Sequence, residues 1–222
     1  MTPCKPIIFS GPMVRAILDG RKSMTRRVLN VPETHGHFVG IYAPGLSAVF
    51  AHNTTDMIDD VSIKLHGKGD LLWVREAWGV GTRPCPHQGW RDGIEYRADD
   101  DGSDRDFGIR EVDADLSDIK HGWRSPIHMP RWASRITLEV TDVRVQRLQD
   151  ISEEDAKAEG VERLKSGRGY YSAKHGRGAV HFGVYHDYAT EAFADLWETI
   201  HGPDAWNRND WVAAYSFRRV MG

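Results

Sequence analysis

Residues 134–145 read SRITLEVTDVRV and carry the strongest strand signal in the chain. Apolar residues occupy positions 136, 138 and 140, and the alternation resumes at 143 and 145. A period of two predicts a strand with one buried face. The shift of one position between 140 and 143 predicts a bulge or a tight turn at residues 141–142. This stretch is the main reason to predict a fold based on a β-sheet.

Weaker signals on both sides complete a mixed pattern of strands and helices. Further strands are predicted at 25–31, 71–78, 94–98 and 211–220, and helices at 12–19, 152–160 and 188–200. Segments near 32–69, 99–122 and 161–186 are predicted to be insertions that form surface loops. About five strands without regular β-α-β alternation predict an α+β fold. We expect one domain over residues 1–222, built as a small mixed β-barrel with short flanking helices and loop insertions.

Composition narrows the classes of protein to consider. The chain has 222 residues, of which 40% are hydrophobic and 27% charged, as in a globular protein. The net charge is −3, but residues 99–118 hold nine acidic residues against two arginines, so the remainder is mildly basic. Such a remainder fits a nucleotide or a short RNA better than a long duplex, which needs many phosphate contacts.

Cellular location and metal content also follow from composition. No run approaches 18 apolar residues and the N-terminus lacks an apolar signal-peptide core, so no membrane association is expected. Two cysteines, Cys4 and Cys85, are too few for a disulfide framework, which favours a cytoplasmic protein. No metal and no cofactor are predicted, because the loop histidines lack partners at ligand spacing; these are His35, His37, His175, His181 and His186.

A cluster of cations lies directly after the first predicted helix. Residues 20–27 read GRKSMTRR and hold four cations within seven residues. Cations at a helix C-terminus can simply complement the helix dipole. If the cluster is buried, however, Lys22 is its only possible base, because arginine does not lose its proton. Thr25 would then be a nucleophile that such a base could activate.

Glu159 is unusual for its position in a predicted helix. A glutamate in the last turn lies against the negative end of the helix dipole, which is slightly destabilising. Local rules broken in this way are typical of functional sites. The alternative is a solvated glutamate on an acidic helix, since three acidic residues precede it at 153–155.

The segment 125–135 mixes cations, prolines and a tryptophan. It reads SPIHMPRWASR and includes Arg131 and Trp132. One interpretation is a rigid pocket wall that clamps a base or a phosphate. A turn that packs against the core is an equal alternative.

Three motifs together resemble the ASCH-domain superfamily. They are GRKSMT at 20–25, GDLLWV at 69–74 and ISEEDAKAEG at 151–160. The resemblance implies a PUA-like β-barrel related to RNA-binding modules, and the whole chain is similar to longer ASCH proteins of bacteriophages and prophages. Small bacterial members are amidohydrolases that remove the acyl group from N4-acetylcytidine with a lysine, a threonine and a glutamate. These catalytic residues correspond to Lys22, Thr25 and Glu159, whereas Arg26 departs from the apolar residue usual after the threonine.

The resemblance therefore implies a metal-independent hydrolase of N4-acylated cytidine or cytosine. Thr25 would attack the amide carbonyl after losing its proton to Lys22, and Glu159 would serve as acid and base. The expected partner is a nucleoside, with RNA a further possibility, and the substrate-binding residues would be Arg21, Ser23, Arg27, Trp78, Arg131 and Trp132. An oxyanion would be stabilised by backbone N–H groups at 20–23, or by Arg21 or Arg27.

Two other functions fit the same residues. In an RNA-binding module or ribonuclease, the basic cluster would contact phosphate, and Trp78 or Trp132 would stack on a base. A phage morphogenetic protein without catalysis is the second alternative.

Overall fold

The chain divides into two units that each draw on separated stretches of sequence. The first unit comprises Met1–Asp19, Leu71–Leu138 and Arg219–Gly222, and the second comprises Gly20–Asp70 and Glu139–Arg218. The computed structural model describes residues 4–43, 46–54, 60–85, 89–100, 110, 112, 116, 119, 121–164, 167–171 and 185–220.

Strands dominate the described residues. The strands are β1 (Lys5–Ile8), β2 (Met24–Val28), β3 (His37–Tyr42), β4 (Ser47–Ala51), β5 (Val61–Lys64), β6 (Leu71–Arg75), β7 (Trp78–Cys85), β8 (Gly89–Tyr96), β9 (Gly122–Arg124), β10 (Thr137–Arg147), β11 (Glu162–Arg163), β12 (Tyr170–Tyr171) and β13 (Trp211–Val220). The helices are α1 (Gly11–Leu18), α2 (Glu153–Ala158) and α3 (Ala189–His201). Short 3-10 turns lie at Arg97–Asp99, Pro126–His128, Arg131–Ala133 and Leu148–Asp150.

The first unit contains a parallel strand pair and a three-stranded antiparallel sheet. β1 pairs with β6 in parallel, and β7 lies between β8 and β9. The sheet packs on a core that includes Trp78, Ile94, Tyr96 and Met129.

A buried ionic group ties the loops of the first unit together. The Arg135 guanidinium donates to both oxygens of Glu76 and to both oxygens of Asp99, at 2.7 to 3.0 Å. The same guanidinium lies 3.9 Å from the centre of the Tyr96 ring. Glu76 is only 1% exposed, so its charge depends on this arginine.

The second unit combines antiparallel sheets with a helical layer. Its main sheet has the order β10-β13-β2, and β3, β4 and β5 form a second sheet. Helices α2 and α3 bury Ala156, Ala192, Phe193 and Trp197 in a core that also includes Val212 of β13. This arrangement gives the second unit a layer of helix packed next to β13.

Side-chain caps and glycines set the ends of the helices as the sequence predicts. The Ser152 hydroxyl accepts a hydrogen bond from the Asp155 N–H at 3.1 Å, which makes Ser152 the N-cap of α2. Gly20 follows α1 with φ of +74°, and Gly160 follows α2 with φ of +97°. Residues other than glycine adopt such angles at a cost, so both helices end where the sequence indicates.

The predicted α+β class and most elements are confirmed, with three corrections. β10 runs without interruption from Thr137 to Arg147, which excludes the tight turn predicted at 141–142 but not the bulge predicted as its alternative. The predicted strand at 71–78 is two strands, because strand pairing is interrupted at residues 76–77, where the Glu76 side chain binds Arg135. Segment 32–69 is not a surface loop but contains β3, β4 and β5, whose Ala48 and Phe50 are fully buried.

Some expectations lie largely outside the described residues. They are the insertions at 99–122 and 161–186, of which β9, β11 and β12 are described parts. In the described ranges none of the sheets closes into a barrel. Within those ranges, no helix combines the length and the apolar character needed to span a membrane.

Glu153 of α2 caps the start of α3, and this contact predicts a pH-dependent stability. Its carboxylate accepts hydrogen bonds from Ala189 N, Thr190 N and Thr190 Oγ1 at 2.7 to 3.0 Å. Desolvation raises the pKa of Glu153, but the bonds from Thr190 and Ala189 outweigh it and leave the pKa lowered. A lowered pKa stabilises the folded state above the ordinary pKa of glutamate, and this stability disappears as the pH falls through the folded pKa.

We therefore expect Glu153→Gln to lower the free energy of unfolding by about 1 kcal/mol at pH 7. The difference should shrink toward zero below about pH 4, as measured by urea denaturation across pH. Glu154→Gln is the matched control, because Glu154 is an exposed neighbour on α2. An equal loss in both variants at pH 7 would contradict the capping role.

Candidate functional site

The structure brings Lys22 and Glu159 into direct contact although they lie 137 positions apart. Lys22 Nζ donates to Glu159 Oε2 at 2.6 Å and to the Glu159 backbone oxygen at 2.9 Å. The two residues form an antiparallel bridge, which a bond from Ser23 N to Ala158 O at 2.9 Å extends. Lys22 is 2% exposed and Glu159 is 4% exposed, so the pair is shielded from water.

Arg26 is the central residue of this group, and sequence reasoning did not select it. Its Nη1 donates to Glu159 Oε1 at 3.0 Å and its Nη2 donates to Asp155 Oδ2 at 2.6 Å. Asp155 also accepts two bonds from Arg144 Nη2, at 2.8 and 2.9 Å. We call these five residues, Lys22, Arg26, Arg144, Asp155 and Glu159, the ion-pair network.

One signal in the sequence could have identified Arg26. Asp155 and Glu159 are four positions apart, so they lie on one face at the end of α2. A planar guanidinium can bind two carboxylates at once, which the ammonium of a lysine does less well. The arginine after Thr25 is therefore the residue type that can bind Asp155 and Glu159 together.

The environment of Lys22 favours loss of its proton. Burial lowers the pKa of Lys22, and Arg27 and Arg26 lower it further, while Glu159 opposes the shift. The net direction is downward because desolvation is the largest influence. A lysine in such an environment is suited to act as a base.

Thr25 lies on β2 opposite Tyr215 of β13. The β2–β13 register pairs the two residues directly, so their side chains project from the same face. Thr25 is 3% exposed, and the Tyr215 hydroxyl accepts a hydrogen bond from His66 N at 3.4 Å. Burial raises the pKa of Tyr215, which keeps its phenol protonated. Since side chains alternate along a strand, Arg26 projects from the other face of β2.

The residues predicted to bind substrate lie in different settings. Arg21 forms an ion pair with Glu162 at 3.0 Å. The Ser23 N–H donates to Ala158 O at 2.9 Å, so this one of the predicted backbone donors at 20–23 is already engaged. Arg27 is exposed on β2. Arg21, Ser23 and Arg27 all belong to the second unit, with the predicted catalytic residues.

The other three predicted binding residues belong to the first unit. Trp78 is 3% exposed and is part of that unit's core, so it cannot stack on a base as predicted. Trp132 is 41% exposed, and Arg131 is exposed next to it. The segment 125–135 thus provides an exposed pair rather than a core turn alone.

The second unit also has a surface pocket, which is lined by residues other than the predicted catalytic ones. It has a volume of about 260 Å³ and is lined by Leu29, Val31, Pro32, Glu33, His35, Gly36, Arg147, Asp210 and Trp211. None of the predicted catalytic residues lines it.

Three of the five loop histidines, His35, His37 and His186, lie among the described residues. In that part of the chain, no group of three or more His, Cys, Asp or Glu residues is placed to hold a metal ion. His175 and His181 lie outside the described residues.

Comparisons with known proteins leave the chain without an assigned family. No family model, no curated protein and no solved structure matches it. The resemblance to ASCH proteins therefore stays a prediction.

The ion-pair network predicts unequal costs for its two arginines. The side chain of Arg26 is fully buried, whereas that of Arg144 is 44% exposed. Removal of one partner from a buried pair leaves an uncompensated charge and costs about 3–5 kcal/mol, whereas an exposed pair is worth about 0–1 kcal/mol. We expect Arg26→Met to lower the free energy of unfolding several times more than Arg144→Met, as measured by chemical denaturation. Equal losses would show that burial does not set the strength of the network.

Proposed function

We propose that this protein is a metal-independent amidohydrolase that removes the acyl group from N4-acylated cytosine nucleosides. The observation that carries the proposal is the buried contact between Lys22 and Glu159, in which burial lowers the pKa of the lysine. The motif resemblance supplies the substrate class. We also propose the PUA-like fold that the resemblance implies.

In the proposed reaction, Thr25 is the nucleophile and Lys22 is the base. Thr25 and Arg26 project from opposite faces of β2, so the reaction requires a side-chain movement that brings the Thr25 hydroxyl to Lys22 Nζ. Neutral Lys22 then takes the proton from this hydroxyl, whose oxygen attacks the carbonyl carbon of the exocyclic amide. The carbon–nitrogen bond then breaks, and the exocyclic nitrogen receives a proton from the Lys22–Glu159 pair. Water hydrolyses the resulting threonine ester, which releases the acid and restores Thr25. Atoms and charge balance without a further reactant.

The surrounding residues fit supporting roles in this reaction. Arg26 holds the Glu159 carboxylate toward Lys22, so it is a positioning residue. The Tyr215 phenol lies on the same face as Thr25, and Arg27 projects from β2 nearby in sequence. Either group could donate to the developing oxyanion. Lys22 and Thr25 are both buried, so substrate entry requires side chains to move aside.

Conservative substitutions test the catalytic assignment. Lys22→Arg keeps the charge but removes the base, Thr25→Val keeps the shape but removes the hydroxyl, and Glu159→Gln removes the acid. Each should lower kcat for N4-acetylcytidine about 100-fold or more, measured as cytidine release by chromatography.

A lysine outside the ion-pair network supplies the matched control. Lys157→Arg changes an exposed lysine on α2 and should leave the rate unchanged. Wild-type protein that releases no cytidine from N4-acetylcytidine would overturn the proposed function. A Thr25→Val variant with a normal rate would instead assign the nucleophile to water.

The lowered pKa of Lys22 predicts the pH dependence of the reaction. A base works in its neutral form, so kcat/KM should rise with pH as Lys22 loses its proton. Burial lowers the pKa of Lys22, and the rise should therefore occur below the ordinary lysine pKa of about 10.4. A profile of kcat/KM from pH 5 to 10 would show this rise. A flat profile would contradict the role of Lys22 as base.

A further inference from the structure

The surface pocket of the second unit brings charges of both signs together with apolar side chains. Arg147, Glu33 and Asp210 line it, and Leu29 and Trp211 are among its apolar residues. All of the lining residues belong to the second unit, so the pocket is built within that unit. Its volume of about 260 Å³ lies just below the range of about 300–1,000 Å³ that is typical of sites for drug-sized ligands. The pocket therefore suits a smaller molecule.

Trp211 forms a wall of this pocket that is already in place. It is the first residue of β13, and its indole Nε1 donates to Gly36 O at 3.3 Å. Its ring packs against Phe38 of β3 and Phe50 of β4, with the ring centres 5.6 and 5.5 Å away. Because these contacts hold the indole from several sides, the wall does not have to form when a ligand enters.

Asn53 fixes the backbone of a second part of the lining. Its Nδ2 donates to Glu33 O at 2.7 Å, and its Oδ1 accepts a hydrogen bond from Gly36 N at 2.6 Å. Asn53 N also donates to Thr34 O at 2.7 Å. A Cβ at position 36 would lie 2.8 Å from Asn53 Oδ1, so a larger residue there would disturb these bonds. Glu33 is therefore an exposed side chain on a well-held backbone.

Arg147 lines the pocket with a guanidinium that is held in place without being neutralised. The guanidinium lies 4.3 Å from the centre of the Trp211 ring, and its Nη1 donates to Asn209 O at 3.3 Å. In the described ranges, no carboxylate forms an ion pair with Arg147. A ring and a backbone carbonyl orient a guanidinium but leave its positive charge uncompensated. Arg147 is therefore able to bind the carboxylate of a ligand.

The acidic residues of the lining are also available to a ligand. Among the described cations, none forms an ion pair with Glu33. Asp210 pairs with Arg208 Nε at 3.4 Å, and an exposed pair of this kind contributes little. Within the same part of the chain, neither acid forms an ion pair with Arg147. Opposite charges thus line one pocket without neutralising each other.

We propose that this pocket binds a free α-amino acid with an apolar side chain. The carboxylate of the ligand binds the planar guanidinium of Arg147, and its ammonium binds the carboxylate of Glu33. The apolar side chain of the ligand packs against Leu29 and Trp211. A ligand with one charge alone would leave the opposite lining charge without a partner. This inference does not rest on the proposed hydrolysis, because none of the predicted catalytic residues lines the pocket.

Three ligands of similar shape test the requirement for both charges. L-leucine carries both, 4-methylpentanoate lacks the ammonium, and 3-methylbutylamine lacks the carboxylate. Binding of each to the full chain is measured by NMR titration at neutral pH. Leucine should bind about tenfold or more tightly than either analogue, because each analogue loses a hydrogen bond between charged groups.

Variants assign each charge of the ligand to a residue of the pocket. Glu33→Gln should reduce the advantage of leucine over 4-methylpentanoate, and Arg147→Gln should reduce its advantage over 3-methylbutylamine. Arg163 supplies the matched control, because its Nη2 also donates to a backbone oxygen, that of Gly167 at 3.0 Å, but it does not line the pocket. Arg163→Gln should leave all three affinities unchanged.

Several outcomes would overturn the proposal. Absence of leucine binding at millimolar concentration is one of them. Equal binding of leucine and one of its analogues is another, and it would assign the pocket to a ligand with a single charge. An equal loss of leucine binding in Arg147→Gln and Arg163→Gln is the third. Circular dichroism checks that each variant is folded, and Glu33→Gln, which changes an exposed side chain, tests the proposal even if Arg147→Gln does not fold.

Discussion

The second unit depends on one buried carboxylate, that of Glu159. It binds two cations, Arg26 on β2 and Lys22 just before β2. Its two oxygens bind Lys22 at 2.6 Å and Arg26 at 3.0 Å. Burial of these charges is costly, and their attraction offsets that cost only when the geometry is good and each group is satisfied. The position of α2 relative to β2 is therefore constrained by charge as well as by apolar packing. Any chemistry at Lys22 takes place within this constraint.

A single contact of this kind can serve structure and catalysis together. Desolvation disfavours the charged form of Lys22, whereas Glu159 stabilises that form. The pKa of Lys22 is consequently lower than that of an exposed lysine, because desolvation is the larger of the two influences. Arg26 binds the same carboxylate as a second cation, and its positive charge opposes the stabilisation that Glu159 gives to protonated Lys22. Under the proposed function, the network holds the base Lys22 while Arg26 still compensates the buried charge of Glu159.

The first unit solves the same electrostatic problem without an obvious reactive group. Glu76 is as deeply buried as Glu159, and the Arg135 guanidinium donates hydrogen bonds to both of the Glu76 carboxylate oxygens and to Asp99. Burial raises the pKa of Glu76, although Arg135 opposes the shift. Arginine cannot surrender its proton, so this group is suited to a structural role. The ion-pair network of the second unit is a candidate for catalysis because it contains a lysine, Lys22, where the group in the first unit contains only an arginine.

The sequence by itself determined the local elements, because their signals depend on near neighbours. The alternation in β10, the Ser152 cap and Gly160 after α2 all follow from residues close in the chain. Lys22 and Glu159 also stand out from their neighbours alone, Lys22 as the lysine in a cluster of cations and Glu159 as an acid at a helix C-terminus. Only the tertiary structure decided that these two residues meet, that Arg26 joins them and that Trp78 is buried while Trp132 is exposed. Contacts between residues more than a hundred positions apart depend on how the elements pack. The sequence does not predict strands β3 to β5, because their pattern of apolar residues is weak and these strands are stabilised only by pairing with one another.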